Sequence, residues 1–217
     1  MLKTGEKSIY KINDNHIKKI MVLRDGMECL KNGQINFALQ KQFKLDDLSM
    51  SGFELLARMH LKNGVQISNE EFMPLIDSAY QLNVIIPKAL KKVSSIRDSI
   101  VGNKIWINIS AELLEAKSFC KEFIKLVNYY NLAHNNIGIE ITESHTIISN
   151  KNIIASLTNL KKHNFNIAMD DFGSGYANIR RLSILPVDVV KLDKSFVFDL
   201  DKNNKTKSLI RGIVKIG

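Results

Sequence analysis

Two adjacent aspartates at the end of an apolar segment place the strongest constraint on how this chain can fold. Residues 166–176 read NIAMDDFGSGY, so a strand-like run ends in Asp170 and Asp171, and a loop with Gly173 and Gly175 follows. Neighbouring carboxylates are costly in a core and suit a hard divalent cation, which prefers oxygen ligands. By itself such a pair more often marks an acidic turn after a strand, and that alternative stays open for this motif alone.

Four other apolar segments carry polar side chains of a similar kind. Residues 53–58, 104–110, 137–143 and 187–193 all have the composition of strands. The polar residues in or next to them are Glu54, Arg58, Asn108, Glu140, Glu143, Lys191 and Asp193. Charged groups inside apolar strands are unfavourable unless they are paired or bind a metal. Together with the two aspartates, they predict an oxygen-ligand metal site at one face of a parallel sheet.

Strand-like and helix-like segments alternate after a loose leader at residues 1–15, which predicts a parallel α/β sheet. A capping box at residues 68–71 introduces the helical spacing of residues 72–79. The other predicted helices are residues 16–33, 87–100, 111–130, 151–163, 178–184 and 205–216. Functional groups at the carboxyl ends of the strands fit a (β/α) barrel. With 217 residues, 45% of them hydrophobic, residues 16–217 are long enough for one domain with a full core.

Composition argues against several classes of protein. The five histidines lack zinc-ligand spacing, and Cys29 and Cys120 form no C-x-x-C pair, so they read as ordinary thiols of a reducing compartment. The net charge is +9, but the basic residues are dispersed in pairs, which argues against nucleic-acid binding. The sequence contains neither a long apolar run nor the apolar core of a signal peptide, so we expect no membrane span and a cytoplasmic protein.

Five motifs in a fixed order carry a more specific signal. They are ELLAR at 54–58, NIS at 108–110, EITE at 140–143, DDFGSGY at 170–176 and LPVDVVKLD at 185–193. In these motifs the chain resembles the EAL domain family, whose members hydrolyse the bacterial second messenger cyclic-di-GMP. The resemblance runs from about Gln40 to the C-terminus. It implies a TIM-like (β/α) barrel of the EAL type, of which we count six strands here where a full barrel has eight.

The resemblance also implies a ligand set for two metal ions, Mg²⁺ or Mn²⁺. The first ion would be held by Glu54, Asn108, Glu140 and Asp170. Asp170 would bridge to the second ion, with Asp171 as the other local ligand. Two metal ions activate water and stabilise charge on the phosphate oxygens. Lys191 would orient the attacking water, or help to deprotonate it if the lysine pKa is lowered.

Two residues are implied in substrate binding. Arg58 would hold a phosphate of the substrate, for which the guanidinium group is well suited. Gln40 aligns with a glutamine of the first strand that contacts the substrate. From the residues alone, a plain salt bridge of Arg58 with Asp77 or another surface acid remains an alternative.

Glu143 is implied as a second residue of the catalytic step. It would brace the loop at residues 173–180, which in the family covers the substrate and contributes to a homodimer contact. Glu143 could instead be an acid at a helix N-terminus, and Asp193 could simply cap the next loop. Both alternatives remain open at this stage.

The implied activity is two-metal hydrolysis of cyclic-di-GMP to linear pGpG. The alternative is a catalytically impaired EAL-like module that binds cyclic-di-GMP or a protein partner. In the family two further strands follow, with a glutamate and a glutamine signature, and the sequence ends at Gly217 before both. We therefore expect this chain to bind the messenger better than it turns it over.

Overall fold

The structure is a computed structural model that describes residues 24–32, 34–44, 46–61, 64–67, 72–73, 76–142, 150–173, 184–199 and 204–214. The chain divides into two compact units. The first comprises Met1–Asn36 and Ala57–Asp77, and the second comprises Phe37–Leu56 and Ser78–Gly217. The predicted leader and the capping box at 68–71 lie outside the described residues, as does most of the predicted helix 178–184.

One sheet contains all seven strands of the described residues. The strands are β1 (Ile35–Phe43), β2 (Met50–His60), β3 (Gln66–Ile67), β4 (Lys104–Asn108), β5 (Ile137–Thr142), β6 (Asn166–Phe172) and β7 (Val189–Leu192). Their order is β1-β2-β4-β5-β6-β7, and the short β3 pairs antiparallel with β2. The pairs β2·β4, β4·β5, β5·β6 and β6·β7 are all parallel. The prediction of a parallel α/β sheet is therefore confirmed.

Helices separate most of the parallel strands. Residues 24–31 are helical, and the later α-helices are Ser78–Tyr80, Ile86–Ile96, Ala111–Glu115, Phe119–Tyr129, Lys151–Lys162, Lys194–Asp199 and Asn204–Val214. A π-helical turn, Gln81–Ile85, joins the first two of these later helices. No helix among the described residues is long and apolar enough to cross a bilayer.

The two faces of the sheet differ in chemistry because successive strand residues point to opposite sides. Isoleucines and a methionine on one face pack into the core of the second unit: Ile105, Ile107, Ile137, Ile139, Ile141, Ile167 and Met169. The intervening residues are Trp106 and Asn108 on β4, Gly138 and Glu140 on β5, and Ala168 and Asp170 on β6. The second face therefore carries the polar groups.

Helix residues cover the apolar face. Phe123 is fully buried, and its ring lies 5.5 Å from that of Phe119 and 5.4 Å from that of Phe165. His134 stacks on Phe165 from the other side, with ring centroids 4.6 Å apart. In the first unit, Met59 and Phe72 are fully buried. The first unit thus also contains fully buried apolar side chains.

One predicted helix is broken in the structure. The prediction for residues 111–130 was a single helix, but Ala116 takes an extended conformation between Ala111–Glu115 and Phe119–Tyr129. The break lets the neighbouring Leu113 and Leu114 and the later Phe119 all be buried. In one continuous helix these three side chains would point in different directions. The strand β3 and the helix Lys194–Asp199 were not predicted.

Candidate functional site

Five strands each contribute one polar side chain to a single cluster in the second unit. The contributing residues are Glu54 (β2), Asn108 (β4), Glu140 (β5), Asp170 (β6) and Lys191 (β7). The strand register brings them together, since Asn108 lies opposite Glu140 and Asp170 lies opposite Thr142, two residues further along β5. Parallel pairing of strands that each carry one of these polar residues therefore builds one site.

Lys191 is the centre of this cluster. Its Nζ donates hydrogen bonds to Glu54 Oε2 at 2.8 Å, Glu140 Oε2 at 2.9 Å and Asp170 Oδ2 at 3.1 Å. The three acceptors come from three different strands, so one ammonium group offsets part of the repulsion between their carboxylates.

Asn108 completes the arrangement around Glu54. Its Nδ2 donates to Glu54 Oε1 at 3.1 Å, so both oxygens of that carboxylate have a partner. The carbonyl of Asn108 accepts a hydrogen bond of 3.5 Å from Nε2 of the buried Gln81 in the π-helical turn. Asn108 is therefore held by its side chain and by its backbone.

Glu140 is the most deeply buried of the three carboxylates, with 1% of the residue exposed. Burial and the neighbouring charge of Glu54 raise the pKa of Glu140 to about 7, despite the opposing effect of Lys191. Its Oε1 is buried and has no hydrogen-bond partner among the described residues. A buried carboxylate oxygen without a hydrogen-bond partner destabilises the folded state unless another group binds it.

Lys191 is more firmly protonated than an ordinary lysine. Burial acts to lower its pKa, but the hydrogen bonds and charges of Glu54 and Glu140 outweigh burial, so the pKa lies above its usual value. In this arrangement Lys191 is protonated. Its predicted role toward the attacking water, to orient it or to help deprotonate it, stays a prediction.

Trp106 lies on the same face of the sheet as the polar cluster. Trp106 lies two residues before Asn108 on β4, and its register partner on β5 is Gly138. A Cβ atom on Gly138 would lie 2.1 Å from the Trp106 ring, so only glycine leaves room for the indole. The ring of Trp106 therefore packs against the backbone of Gly138 on the polar face of the sheet.

The donor set suits a hard divalent cation. One carboxylate oxygen each from Glu54, Glu140 and Asp170 lies within 4.8 Å of the other two. All donors are oxygens, which Mg²⁺ and Mn²⁺ prefer, and the unpartnered Glu140 Oε1 offers a further one. The residues thus fit the kind of metal that the sequence predicted.

Comparison with known proteins identifies the family. The family model of the EAL domain matches residues 23–217. The chain belongs to the EAL domain family. PdeL of Escherichia coli strain K12, named a cyclic di-GMP phosphodiesterase, is 31% identical over 219 residues, which cover 98% of this chain and 60% of PdeL.

Solved structures of EAL proteins have the same fold. The EAL enzyme Bd1971, in a form bound to cAMP and cyclic-di-GMP, matches with a TM-score of 0.82 at 22% identity over 94% of this chain and 57% of that chain. BlrP1 of Klebsiella pneumoniae, solved with manganese and cyclic-di-GMP, matches with a TM-score of 0.72 at 20% identity over 84% of this chain and 46% of that chain. The predicted EAL-type barrel fold is confirmed. The chain spans 60% or less of each of these three proteins.

Asp171 lies beside the cluster of this EAL domain but is not one of the three converging carboxylates of the described residues. Its backbone is left-handed, with φ of 54°, and its N–H donates to Asp170 Oδ1 at 3.0 Å. Burial raises the pKa of Asp171, and the charges of Asp170 and Asp193 add to this effect. The bonded N–H holds Asp170 in its rotamer. The role of Asp171 as a ligand of a second metal stays a prediction.

The two predicted substrate residues belong to different units. Gln40 is exposed on β1 in the second unit. Arg58 is half-buried on β2 in the first unit, where its Nη1 donates to the carbonyl of Ala57 at 2.9 Å. Their contacts with a substrate stay predictions.

Glu143 and the loop residues 174–180 lie outside the described residues, so their predicted roles are untested. Asp193 has a defined structural partner: its Oδ1 accepts a hydrogen bond of 2.8 Å from the N–H of Ser195. This bond lowers the pKa of Asp193 and caps the start of the helix Lys194–Asp199. The plainer alternative for Asp193, a cap, is what the geometry supports.

Three residues of the site, Gln81, Trp106 and Gly138, were missed from the sequence. Gln81 stands in an apolar stretch between two predicted helices, and a polar residue among apolar neighbours was the available signal. The pairing of Trp106 with Gly138 could not be found from the sequence, because it depends on the register of two strands about 30 residues apart.

Proposed function

We propose that this EAL domain hydrolyses cyclic-di-GMP to linear pGpG. The observation that carries the proposal is the convergence of Glu54, Glu140 and Asp170, each from its own strand, around Lys191. PdeL carries the name of this activity at 31% identity, and both Bd1971 and BlrP1 are solved with cyclic-di-GMP. A phosphodiester substrate also matches a chain with a net charge of +9.

Glu54, Asn108, Glu140 and Asp170 are the residues that would hold the first metal ion, Mg²⁺ or Mn²⁺. Asp170 and Asp171 are the candidates for a second ion. When bound, such ions lower the pKa of coordinated water and stabilise negative charge on phosphate oxygens. A buried, oxygen-rich site lined by acids supports this assignment.

The protein's own groups have three tasks in this proposal. Lys191 orients the attacking water or helps to deprotonate it. Arg58 and Gln40 bind the substrate, Arg58 through a phosphate. Glu143 braces the covering loop at 173–180.

Turnover and binding should be measured separately. The purified chain is incubated with cyclic-di-GMP and Mg²⁺ or Mn²⁺, pGpG is followed by chromatography, and binding is followed by calorimetry. Glu54→Gln should abolish pGpG formation, whereas the exposed Asp98→Asn on the turn Arg97–Ser99 should leave it unchanged. Binding without turnover would favour the messenger-binding module instead. Absence of both would contradict the proposal.

A homodimer through the 173–180 loop is part of the same proposal. The support is the family resemblance of the motif DDFGSGY. Light scattering on the chain with and without cyclic-di-GMP tests it, and a monomer at high micromolar concentration in both conditions contradicts it.

A further inference from the structure

The Lys191 ammonium group occupies the oxygens that suit a divalent cation. Its three hydrogen bonds, of 2.8, 2.9 and 3.1 Å, go to the same three carboxylates whose oxygens converge within 4.8 Å. A lysine ammonium group has three N–H donors. All three are used on carboxylates, so none is left for a water molecule or a phosphate.

An ammonium group and a metal ion cannot share this space. A small dication binds its oxygen ligands at about 2.1 Å. An ion held by Glu54, Glu140 and Asp170 would therefore lie next to Nζ, where two positive charges repel strongly in a low-dielectric environment. The cluster is consequently in one of two states, with either the lysine or a metal ion as its cation.

The position of Lys191 allows its ammonium group to move away from the three carboxylates. Its side chain is 25% exposed, so part of the lysine already faces solvent. The pairing of β7 with β6 is irregular between Met169 and Phe172, next to Asp170, and the lysine stem is flexible. Glu140, by contrast, has a side chain with no exposed surface and stays in place.

Resting on the proposed function, we propose that Lys191 is a built-in counter-ion. It offsets part of the negative charge of Glu54, Glu140 and Asp170 while no metal ion is bound, and it withdraws from them when one binds. The metal-free domain is thereby folded with its acids partly compensated, and metal binding frees the ammonium group of Lys191.

The first experiment compares the melting temperature of the wild type and Lys191→Met without metal and with saturating Mg²⁺. Without metal, we expect Lys191→Met to melt about 5–10 °C lower, because one buried and two part-buried carboxylates lose their only shared cation among the described residues. With saturating Mg²⁺ the two proteins should melt within about 2 °C of each other, and the variant should bind Mg²⁺ roughly tenfold or more tightly. The exposed Lys91→Met on the helix Ile86–Ile96 is the matched control and should change neither value.

Two results would overturn the proposal. One is an equal loss of stability in Lys191→Met with and without Mg²⁺, because the lysine would then keep its contacts when metal is bound. The other is an unchanged melting temperature of the metal-free variant. Absence of any Mg²⁺ or Mn²⁺ response in both proteins would instead remove the metal site, and with it this inference and the two-metal part of the proposed function.

A second measurement on the wild type avoids dependence on a variant that does not fold. An ammonium group with three carboxylate partners exchanges its protons slowly, so ¹⁵N-labelled lysine should give a protected NH₃⁺ signal in the NMR spectrum. Lys191→Arg assigns this signal by its loss. We expect it to disappear on titration with Mg²⁺, and a protected signal that persists at saturating Mg²⁺ contradicts the displacement.

Discussion

Lys191 Nζ donates to Glu140 Oε2 at 2.9 Å, and the two groups shift each other's protonation in unequal ways. Lys191 keeps its proton more firmly than usual, whereas the pKa of Glu140 is raised to about 7 because burial and Glu54 outweigh the lysine. One ammonium group therefore does not fully compensate three carboxylates. The site has a surplus of negative charge that a divalent cation can neutralise.

Asp170→Asn should abolish the stabilisation of the domain by Mg²⁺ or Mn²⁺. Asp170 supplies one of the three converging carboxylates, and an amide is a far weaker ligand for a hard cation. The measurement is the melting temperature with and without metal. In the wild type we expect a rise of several degrees, in line with ligand linkage.

Asp98→Asn, on an exposed turn, serves as the control and should respond to metal like the wild type. A metal response in Asp170→Asn equal to that of the wild type would remove Asp170 from the ligand set.

The pKa of Glu140 predicts a pH dependence of stability in the metal-free protein. The folded pKa of about 7 lies above the ordinary value of 4.5, so the folded state binds more protons between these values. The free energy of unfolding should therefore fall as the pH rises from about 4.5 to 7, by about 1–3 kcal/mol from this group. Urea denaturation in chelator-treated buffer at pH 5, 6, 7 and 8 measures it.

Glu140→Gln has no proton to lose, so its free energy of unfolding should change little with pH between about 4.5 and 7. In the wild type, saturating Mg²⁺ should reverse the loss of stability in this range. A wild-type profile as flat as that of the variant would show that Glu140 is ionised throughout.

Much of the site could be predicted from the sequence because a polar residue inside an apolar strand can be recognised from its neighbours in the chain. Glu54, Asn108, Glu140, Asp170 and Lys191 stand in apolar runs, where a charged or amide group needs a partner. Their convergence follows from parallel pairing, which the alternation of helices and strands predicted.

Other features depend on contacts between distant segments. The three-way contact of Lys191 with its carboxylates, and hence its raised pKa, joins residues up to 137 positions apart, and no local pattern signals it. The break at Ala116 likewise reflects tertiary burial of Leu114 and Phe119, which overrides the helical spacing. Spacing along the chain predicts which face is buried, but not where packing interrupts a helix.

Gly138→Ala should destabilise the domain because its added Cβ would overlap the Trp106 ring. The added Cβ would lie 2.1 Å from the Trp106 ring, which is 5% exposed and cannot simply turn aside. Overpacking of this kind typically costs about 1–3 kcal/mol. We expect a lower urea midpoint and, because Trp106 lies below Asn108 on β4, a weaker metal response.

Gly212→Ala is the matched control, because nothing lies within 4 Å of its added Cβ and it is within the helix Asn204–Val214. Alanine there should stabilise the domain by about 0.5–1 kcal/mol. Equal midpoints for the two variants would contradict the tight contact between Gly138 and Trp106.

Asp193→Ala should separate a helix cap from a metal ligand within the motif LPVDVVKLD. The Oδ1 of Asp193 accepts the N–H of Ser195 at 2.8 Å, and this bond satisfies a donor at the start of the helix Lys194–Asp199. Its removal should lower the melting temperature slightly in the absence and in the presence of metal, by the same amount. The rise in melting temperature caused by Mg²⁺ should stay equal to that of the wild type, because Asp193 is not one of the converging carboxylates of the described residues.

Asp193→Asn, which keeps an acceptor oxygen, should recover most of the lost stability. Loss of the Mg²⁺ increment in Asp193→Ala, without recovery in Asp193→Asn, would assign this aspartate to the metal site instead.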